Sequence, residues 1–210
     1  SVYQGKSASQ AVISLGDNVA ILHQDKTAVV WSTISEWKLA RTIDSETGAS
    51  VFTDRVTAID FSGDGKLLAA GGGEPSRNGE LSIFSVADGK LIRSFKDPHS
   101  DTIFSARFSV DGLHIATCGA DRFVKVFQVS DGEFVRAFEG HTHHVLGVGW
   151  SADGRQLASA GADKVIKLWD FRTGDQQRTI SGFAKEVTSI QFAGLSVNVV
   201  ASCGDKNVHI

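Results

Sequence analysis

A phrase of ten residues returns in this chain at a fixed interval, and that interval limits the folds open to it. The segment CGADRFVKVF at 118–127 is repeated as AGADKVIKLW at 160–169. The aspartates of the two copies, Asp121 and Asp163, lie 42 residues apart. A self-similar period of about 20–50 residues is typical of stacked repeat architectures, in which one unit cannot bury its apolar face by itself.

Each repeat is predicted to form four short antiparallel strands. Its first segment alternates apolar and polar residues, which is typical of a half-buried strand, and in three copies an Asp-Gly pair follows that favours a tight hairpin turn. A second strand then ends in a small residue, a third follows an aspartate, and a fourth follows another turn. The aligned segments are IDFSGDGKLLAAG (59–71), ARFSVDGLHIATC (106–118), VGWSADGRQLASA (148–160) and IQFAGLSVNVVAS (190–202).

Four-stranded units at a fixed period predict an all-β fold, a β-propeller. One small sheet cannot cover both of its faces, whereas units stacked around an axis cover each other, and a closed ring leaves few exposed edges. A β-sandwich is the alternative for many short strands. A sandwich does not need the same sequence at a constant spacing, so the propeller is favoured.

The fourth unit contains a Gly140-His141 pair, a Trp150-Ser151 turn, Ser159 on its second strand and a closing Trp169-Asp170 pair. With these features it resembles the WD40 repeat, and the resemblance extends over nearly the whole chain. It implies that the fold is a propeller of WD40 blades. Units two to four also resemble bacterial WD40 modules, some of which are fused to c-type cytochrome domains, although this sequence contains no CxxCH haem motif.

The repeat predicts one propeller domain, or a segment of one, over residues 1–210, with four complete blades and parts of others. Two accounts stay open: a segment of a longer propeller, which we favour, or a five-bladed ring whose N-terminal strand completes the last blade. In an open ring, another chain could cover the exposed blade edges. The predicted blades are about 7–43, 54–95, 101–138 and 143–180, with a partial blade at 185–210 and the end of a further fourth strand at 1–5.

The resemblance implies a buried hydrogen-bond chain in each well-formed blade. In the fourth unit it would run from the Trp169 N–H through Ser159 and His141 to Asp163, so that every buried polar group has a partner. The third unit should have a shorter chain, because its aromatic residue is Phe127, which has no N–H; its members are His99, Thr117 and Asp121.

The second unit lacks these polar residues and is predicted to be held by apolar packing alone. Phe52 and Ala70 stand at its His and Ser positions, and Phe84 stands at its Trp position. The fifth unit has Phe183 in place of the histidine.

Two patterns suggest chemistry, and in both the structural interpretation is favoured. Ser159, His141 and Asp163 are the residue types of a hydrolase triad, but a near copy recurs in the third unit and no nucleophile-elbow glycines surround the serine. The run HTHH at 141–144 suggests a metal site, but adjacent histidines in an extended segment point in opposite directions. We therefore predict no catalytic residue, no metal ligand and no cofactor.

Binding is predicted on the top face, the end of each blade that carries the loop before its first strand and the loop between its second and third strands. The second unit has an insertion there, at 71–79, that begins with three consecutive glycines and contains Pro75. Loops that vary on a rigid scaffold commonly carry specificity. The candidate partner-binding residues are Phe104, Leu146, Arg55, His143, His144, Glu186, Glu74 and Arg77.

Composition narrows the class of partner. The formal net charge is −3 and the pI is about 6.1, so no single-sign field would attract nucleic acid. No apolar run approaches the ~20 residues of a membrane-spanning helix. The sequence thus predicts a non-catalytic scaffold that presents its top-face loops to a partner protein or to another domain of its own chain. The alternative is the propeller portion of a larger redox protein, linked to a c-type cytochrome, or of another enzyme.

Overall fold

Strands make up all of the regular secondary structure that the computed structural model describes. It describes residues 9–15, 18–23, 28–32, 38–43, 51–194, 198–205 and 208–210, and no helix occurs in these ranges. Their strands form five antiparallel sheets, four with four strands and one with three. Each sheet is a blade, and its strands follow one another in chain order.

The first two blades are both four-stranded. Blade one consists of β1 (Ser9–Leu15), β2 (Asn18–His23), β3 (Ala28–Ser32) and β4 (Lys38–Ile43). Blade two consists of β5 (Val56–Phe61), β6 (Leu67–Gly72), β7 (Glu80–Ser85) and β8 (Leu91–Ser94).

The next two blades repeat this layout, and the fifth has three strands. Blade three consists of β9 (Ile103–Phe108), β10 (His114–Gly119), β11 (Val124–Gln128) and β12 (Phe134–Phe138). Blade four consists of β13 (Val145–Trp150), β14 (Gln156–Gly161), β15 (Ile166–Asp170) and β16 (Gln176–Ile180). Blade five consists of β17 (Val187–Phe192), β18 (Val199–Cys203) and β19 (Val208–His209).

A repeated turn joins the first two strands of blades two to four. In blade two the Ser62 hydroxyl donates to the Asp64 carboxylate at 2.7 Å and accepts the Leu67 N–H at 2.9 Å. Gly65 completes the turn at φ 70°, a conformation that favours glycine. The hydrogen bond from Ser62, with that from the Lys66 N–H, lowers the pKa of Asp64 to about 2. The same bonds recur at Ser109, Asp111 and His114, and at Ser151, Asp153 and Gln156.

The core lies between the blades. One buried cluster combines Leu81 and Ile83 of blade two with Ile103 and Ile115 of blade three. Two further clusters join blades three and four, and blades four and five, in the same way. First strands of successive blades also contact one another: β1 with β5, β5 with β9, β9 with β13, and β13 with β17. Each sheet therefore covers the face that its neighbour leaves open.

Polar contacts also cross the blade boundaries. Asp60 of β5, which is buried, accepts the Phe108 N–H at 2.7 Å and a hydrogen bond from Arg107 at 3.1 Å. Burial raises the pKa of Asp60, and the Arg107 charge partly offsets this effect. The indole N–H of Trp150 then donates to the Arg107 carbonyl at 3.0 Å. Blades two, three and four are thus linked in series.

An arginine on the fourth strand ties each of two blades to the next one. Arg93 of β8 donates to the carbonyls of Ser130 and Asp131 at 2.6 and 2.7 Å, in the turn before β12. Arg136 of β12 makes the equivalent pair of bonds to the turn before β16, with the carbonyls of Arg172 and Thr173 at 3.1 and 2.8 Å. These turns therefore serve as docking points between blades.

The structure confirms the predicted fold class, an all-β propeller of four-stranded antiparallel blades. Four blades have four strands each, and the partial blade has three. The predicted strand end at 1–5 lies outside the described residues.

Removing one of these arginines should weaken the contact between blades. We expect Arg136→Ala to lower the free energy of unfolding by about 1–2 kcal/mol, because two carbonyl groups lose a charged donor. Chemical denaturation checks this value. Arg178→Ala is the matched control: Arg178 has the same position in its strand pair but is exposed, and its side chain makes no hydrogen bond or ion pair with a described residue. Equal losses in the two variants would contradict the role given to Arg136.

Candidate functional site

In blade four, the four residues of the predicted hydrogen-bond chain are in mutual contact. The Trp169 indole N–H donates to the Ser159 hydroxyl at 2.8 Å, and this hydroxyl lies 2.8 Å from His141 Nε2. His141 Nδ1 lies 2.9 Å from the Asp163 carboxylate, which also accepts the Thr142 N–H at 2.9 Å. The chain joins β15, β14 and the loop before β13.

Blade three contains a shorter version of the same arrangement. His99 Nε2 lies 2.8 Å from the Thr117 hydroxyl, and His99 Nδ1 lies 2.9 Å from the Asp121 carboxylate. The Ser100 N–H donates to the same carboxylate at 3.3 Å. Phe127 stands at the tryptophan position and contributes packing only, against Phe95 and Phe134.

Burial favours the neutral form of both histidines. Burial lowers the pKa of His99 and of His141 below the ordinary value, despite the opposing effect of Asp121 and Asp163. A neutral ring can donate from Nδ1 to the carboxylate and accept at Nε2 from the hydroxyl, which satisfies every member of the chain. Burial would raise the pKa of Asp121, but the hydrogen bond from His99, with smaller contributions from the Phe123 N–H and Lys125, outweighs it and holds that pKa below its usual range.

This geometry gives Ser159 a structural role. Its side chain is fully buried, and its oxygen already accepts the Trp169 N–H. A nucleophilic serine must reach a substrate carbonyl, and a hydroxyl enclosed between β14, β15 and the His141 ring has no surface on which to meet one.

The prediction that blade two is held by apolar packing alone is wrong. Phe52, Ala70 and Phe84 do form a buried cluster. However, the Glu80 carboxylate accepts both the backbone N–H and the hydroxyl of Thr53 at 2.9 Å. Glu80 thus replaces the aspartate of blades three and four, which binds the N–H after the histidine position. The sequence concealed this replacement because Glu80 lies two residues beyond the aligned position, which Asn78 occupies.

A cavity of about 270 Å³ opens on the top face, among the loops of blades two to four. Aromatic rings form part of its wall, since Phe104 and His144 lie 5.9 Å apart between centroids. Opposite charges also reach it, from Arg55 and Asp101. We call it the top-face cavity, and its lining residues are Arg55, Thr57, Pro75, Ser76, Asp101, Thr102, Phe104, Ala120 and His144.

The insertion of blade two forms one side of this cavity and is held in place by hydrogen bonds. Asp101 accepts the N–H of Ser76 and of Thr102, both at 2.7 Å. The Gly79 N–H donates to the His99 carbonyl at 2.8 Å. Within the loop, Asn78 accepts the Glu74 N–H at 2.8 Å. The loop is therefore fixed against blade three by its backbone.

The structure brings together some of the candidate binding residues and separates others. Arg55, Phe104 and His144 line the top-face cavity, and the His143 ring packs on His144 with centroids 4.5 Å apart. The remaining four do not line it. Glu74 and Arg77 form an ion pair at 3.0 Å on the insertion, Leu146 is half-buried on β13, and Glu186 precedes β17, where its carbonyl accepts the Gly204 N–H at 3.0 Å.

Other parts of the cavity were not identified from the sequence as binding residues. Asp101 and Thr102 stand at variable positions of the loop before β9, and that variability was their only signal. Ala120 gave no sequence signal of a binding role, because it belongs to the phrase that both repeats share.

Exposed apolar side chains also occur away from the top face. Val110 and Leu113 are 62% and 60% exposed at the β9–β10 turn, on the opposite end of blade three. Leu91, Ile92, Phe134 and Val135 are exposed on the outer strands β8 and β12. None of these residues was selected for binding from the sequence.

Comparison with known families identifies the fold at the level of sequence. The family model described as "WD domain, G-beta repeat" matches residues 42–85, 89–128 and 132–170, which together exceed half of the chain. The chain belongs to the WD40 family. The matched WD40 segments contain both hydrogen-bond chains and most of the top-face cavity.

Curated WD40 relatives match parts of the chain. The WD repeat-containing protein 26 homolog of Drosophila melanogaster is 30% identical over 60% of this chain and 19% of its own length. The transcriptional corepressor LEUNIG_HOMOLOG of Arabidopsis thaliana is 33% identical over 45% of this chain and 11% of its own. The human apoptotic protease-activating factor 1 is 46% identical over 20% of this chain and 3% of its own. This chain therefore corresponds to a small part of each relative.

These three relatives come from eukaryotes, so they give no support to the resemblance to bacterial modules, which stays a hypothesis.

Among the residues described for this WD40 chain, none belongs to a helix long and apolar enough to cross a membrane.

The hydrogen-bond chain of blade four should contribute to stability. We expect His141→Ala to lower the free energy of unfolding by about 1–3 kcal/mol, because Asp163 and Ser159 lose a buried partner. Chemical denaturation measures the change. His143→Ala, an exposed neighbour, is the control and should have little effect. An unchanged unfolding transition in His141→Ala would contradict the assignment.

Stability should fall as the pH drops from about 7 to about 5. The unfolded chain binds protons on histidine near pH 6.5, whereas His99 and His141 resist protonation in the folded state because their pKa is lowered. Each such ring contributes a slope of up to about 1.4 kcal/mol per pH unit. Unfolding titrations at several pH values test this.

In the same titrations, His141→Gln should reduce the slope, and His143→Gln should leave it unchanged. Identical slopes in wild type and His141→Gln would rule out His141 as a source of the pH dependence.

Proposed function

We propose that this propeller is a non-catalytic scaffold that binds a partner protein, or a neighbouring domain of its own chain, at its top face. On this proposal residues 1–210 form one propeller domain or a segment of one. The observation that carries the proposal is the top-face cavity, in which an aromatic wall, two opposite charges and a fixed loop converge.

The size of the cavity suits a side chain of a protein partner. At about 270 Å³ it is smaller than most small-molecule pockets, which measure about 300–1,000 Å³. Phe104 is half-buried, so part of its ring stays available as an anchor. Aromatic residues within a small apolar pocket are the usual source of binding energy at protein interfaces.

The charges around the cavity favour a polar protein surface over nucleic acid. Arg55 is exposed and lies 3.4 Å from the carboxylate of its neighbour Asp54. Asp101 contributes a second acidic group to the lining. Nucleic-acid sites need uncompensated positive charge along the phosphate backbone, and here Arg55, the one arginine or lysine of the lining, has an acidic neighbour.

The fixed insertion lowers the cost of binding. Ordering a flexible loop consumes part of the binding free energy. The hydrogen bonds of Asp101 to Ser76 and of Gly79 to His99 already hold the loop in one conformation. The similarity to WD40 relatives supports the same general role, a rigid support for interaction loops.

Removing the aromatic anchor should weaken binding without unfolding the protein. We expect Phe104→Ala to reduce affinity by about 1–2 kcal/mol, measured by calorimetry with the partner recovered in a pull-down from the source cells. The matched control is Leu113→Ala, an exposed apolar residue at the opposite end of blade three. Full affinity in Phe104→Ala together with a loss in Leu113→Ala would place the site on the other face and overturn the proposal.

A further inference from the structure

Blade five brings together three side chains that can each coordinate a metal ion. Cys203 ends β18, Asp205 lies in the following turn and His209 lies on β19. The thiol sulphur, a carboxylate oxygen and a ring nitrogen lie within 4.8 Å of one another. We call this group the blade-five cluster.

The cluster arises from departures from the repeat. The β-strand registers pair Cys203 with Val187, as they pair Gly161 with Val145 in blade four. A Cβ on Gly161 would overlap Asp163 Oδ1 and would lie 2.7 Å from His141 Nδ1, so the hydrogen-bond chain excludes a side chain there. In blade five the histidine position is occupied by Phe183. Blade five therefore lacks the imidazole that, in blade four, lies too close to Gly161 for a side chain to fit there.

A second replacement completes the cluster. His209 stands 42 residues after Lys167, where blades three and four carry lysine. Lys125 of blade three lies 3.5 Å from Asp121, whereas Lys167 of blade four donates to Gln176 and Thr179. In blade three this position therefore places a cation beside the aspartate. Exchange of that lysine for histidine removes a fixed positive charge and supplies a nitrogen lone pair.

The position of the imidazole points to a shared ion. His209 Nε2 is shielded from solvent and makes no hydrogen bond, although it lies 3.4 Å from Asp205 Oδ2. Nitrogen and oxygen ligands of tetrahedral Zn²⁺, at about 2.0–2.2 Å from the metal, lie about 3.3–3.5 Å apart. The Phe183 ring packs edge-on against His209, with centroids 5.1 Å apart and planes at 87°, and so fixes its orientation.

We propose that Cys203, Asp205 and His209 form a Zn²⁺ site that cross-links β18, the turn after it and β19. One thiolate, one imidazole and one carboxylate match the ligand preference of zinc, whereas Mg²⁺ and Ca²⁺ prefer oxygen ligands throughout. The His209 side chain is 39% exposed and that of Asp205 14%, so water can occupy a fourth position. The Cys203 thiol releases its proton to solvent when the metal binds.

Cobalt substitution provides the test, since Co²⁺ reports both ligand type and geometry. The reduced protein is titrated with Co²⁺ and then with Zn²⁺, in a buffer free of small thiols. We expect intense visible bands of tetrahedral Co²⁺ and a near-ultraviolet thiolate charge-transfer band. One equivalent of Zn²⁺ should abolish both.

Two variants and one control define the ligands. Cys203→Ala should lose the charge-transfer band, and His209→Gln should weaken binding at least tenfold (about 1.4 kcal/mol). His143→Gln, an exposed histidine in blade four, should bind like the wild type. Cys118 is fully buried and remains in every variant. A charge-transfer band that came from this thiol would therefore persist in Cys203→Ala.

Two results of the cobalt titration would overturn the proposal. One is a weak octahedral spectrum for the wild type, and the other is a charge-transfer band that persists in Cys203→Ala. Circular dichroism establishes that each variant is folded. Should Cys203→Ala not fold, His209→Gln decides, because it alters only a half-buried ring near the last described strand: unchanged Co²⁺ affinity in this variant would overturn the proposal.

Discussion

Mutual covering of blade faces is the constraint on which the rest of this structure depends. A four-stranded sheet has two faces, and its buried side chains, such as Leu81 and Ile115, contact residues of the next blade as well as their own. Burial of one such side chain contributes about 1.5–3 kcal/mol. Three of the four buried clusters among the described residues combine side chains of two blades, so the stability of blades two to five depends on their neighbours.

The polar contacts act within this stack and define its geometry. Apolar packing alone tolerates small rotations of one sheet over another, whereas hydrogen bonds have narrow distances and angles. Arg93 and Arg136 fix the outer turns of successive blades, and Asp60 fixes the first strands. The loop ends of the blades are left free to differ, and the differences between blades are concentrated there.

Both proposed binding sites lie where the sequence departs from the repeat. Blade two lacks the histidine and aspartate of blades three and four and has Phe52 and Glu80 instead, and its insertion lines the top-face cavity. Blade five exchanges a glycine and a lysine for Cys203 and His209. In both, a residue that normally serves the hydrogen-bond chain is missing, and the space it leaves is occupied differently.

The sequence by itself determined the repeat and the strands, and its resemblance to the WD40 repeat implied the hydrogen-bond partners within blades three and four. The repeat depends on residues at a constant spacing, such as Asp121 and Asp163, and a constant spacing can be read from one chain. Only the tertiary structure decided that Glu80 replaces an aspartate, that Asp101 and Ala120 line a cavity with Phe104, and that Cys203 meets His209. These contacts join different loops, or involve a residue that lies outside the position expected from the repeat alignment. They depend on how the blades and turns are arranged in three dimensions, and the period of the repeat carries no information about that arrangement.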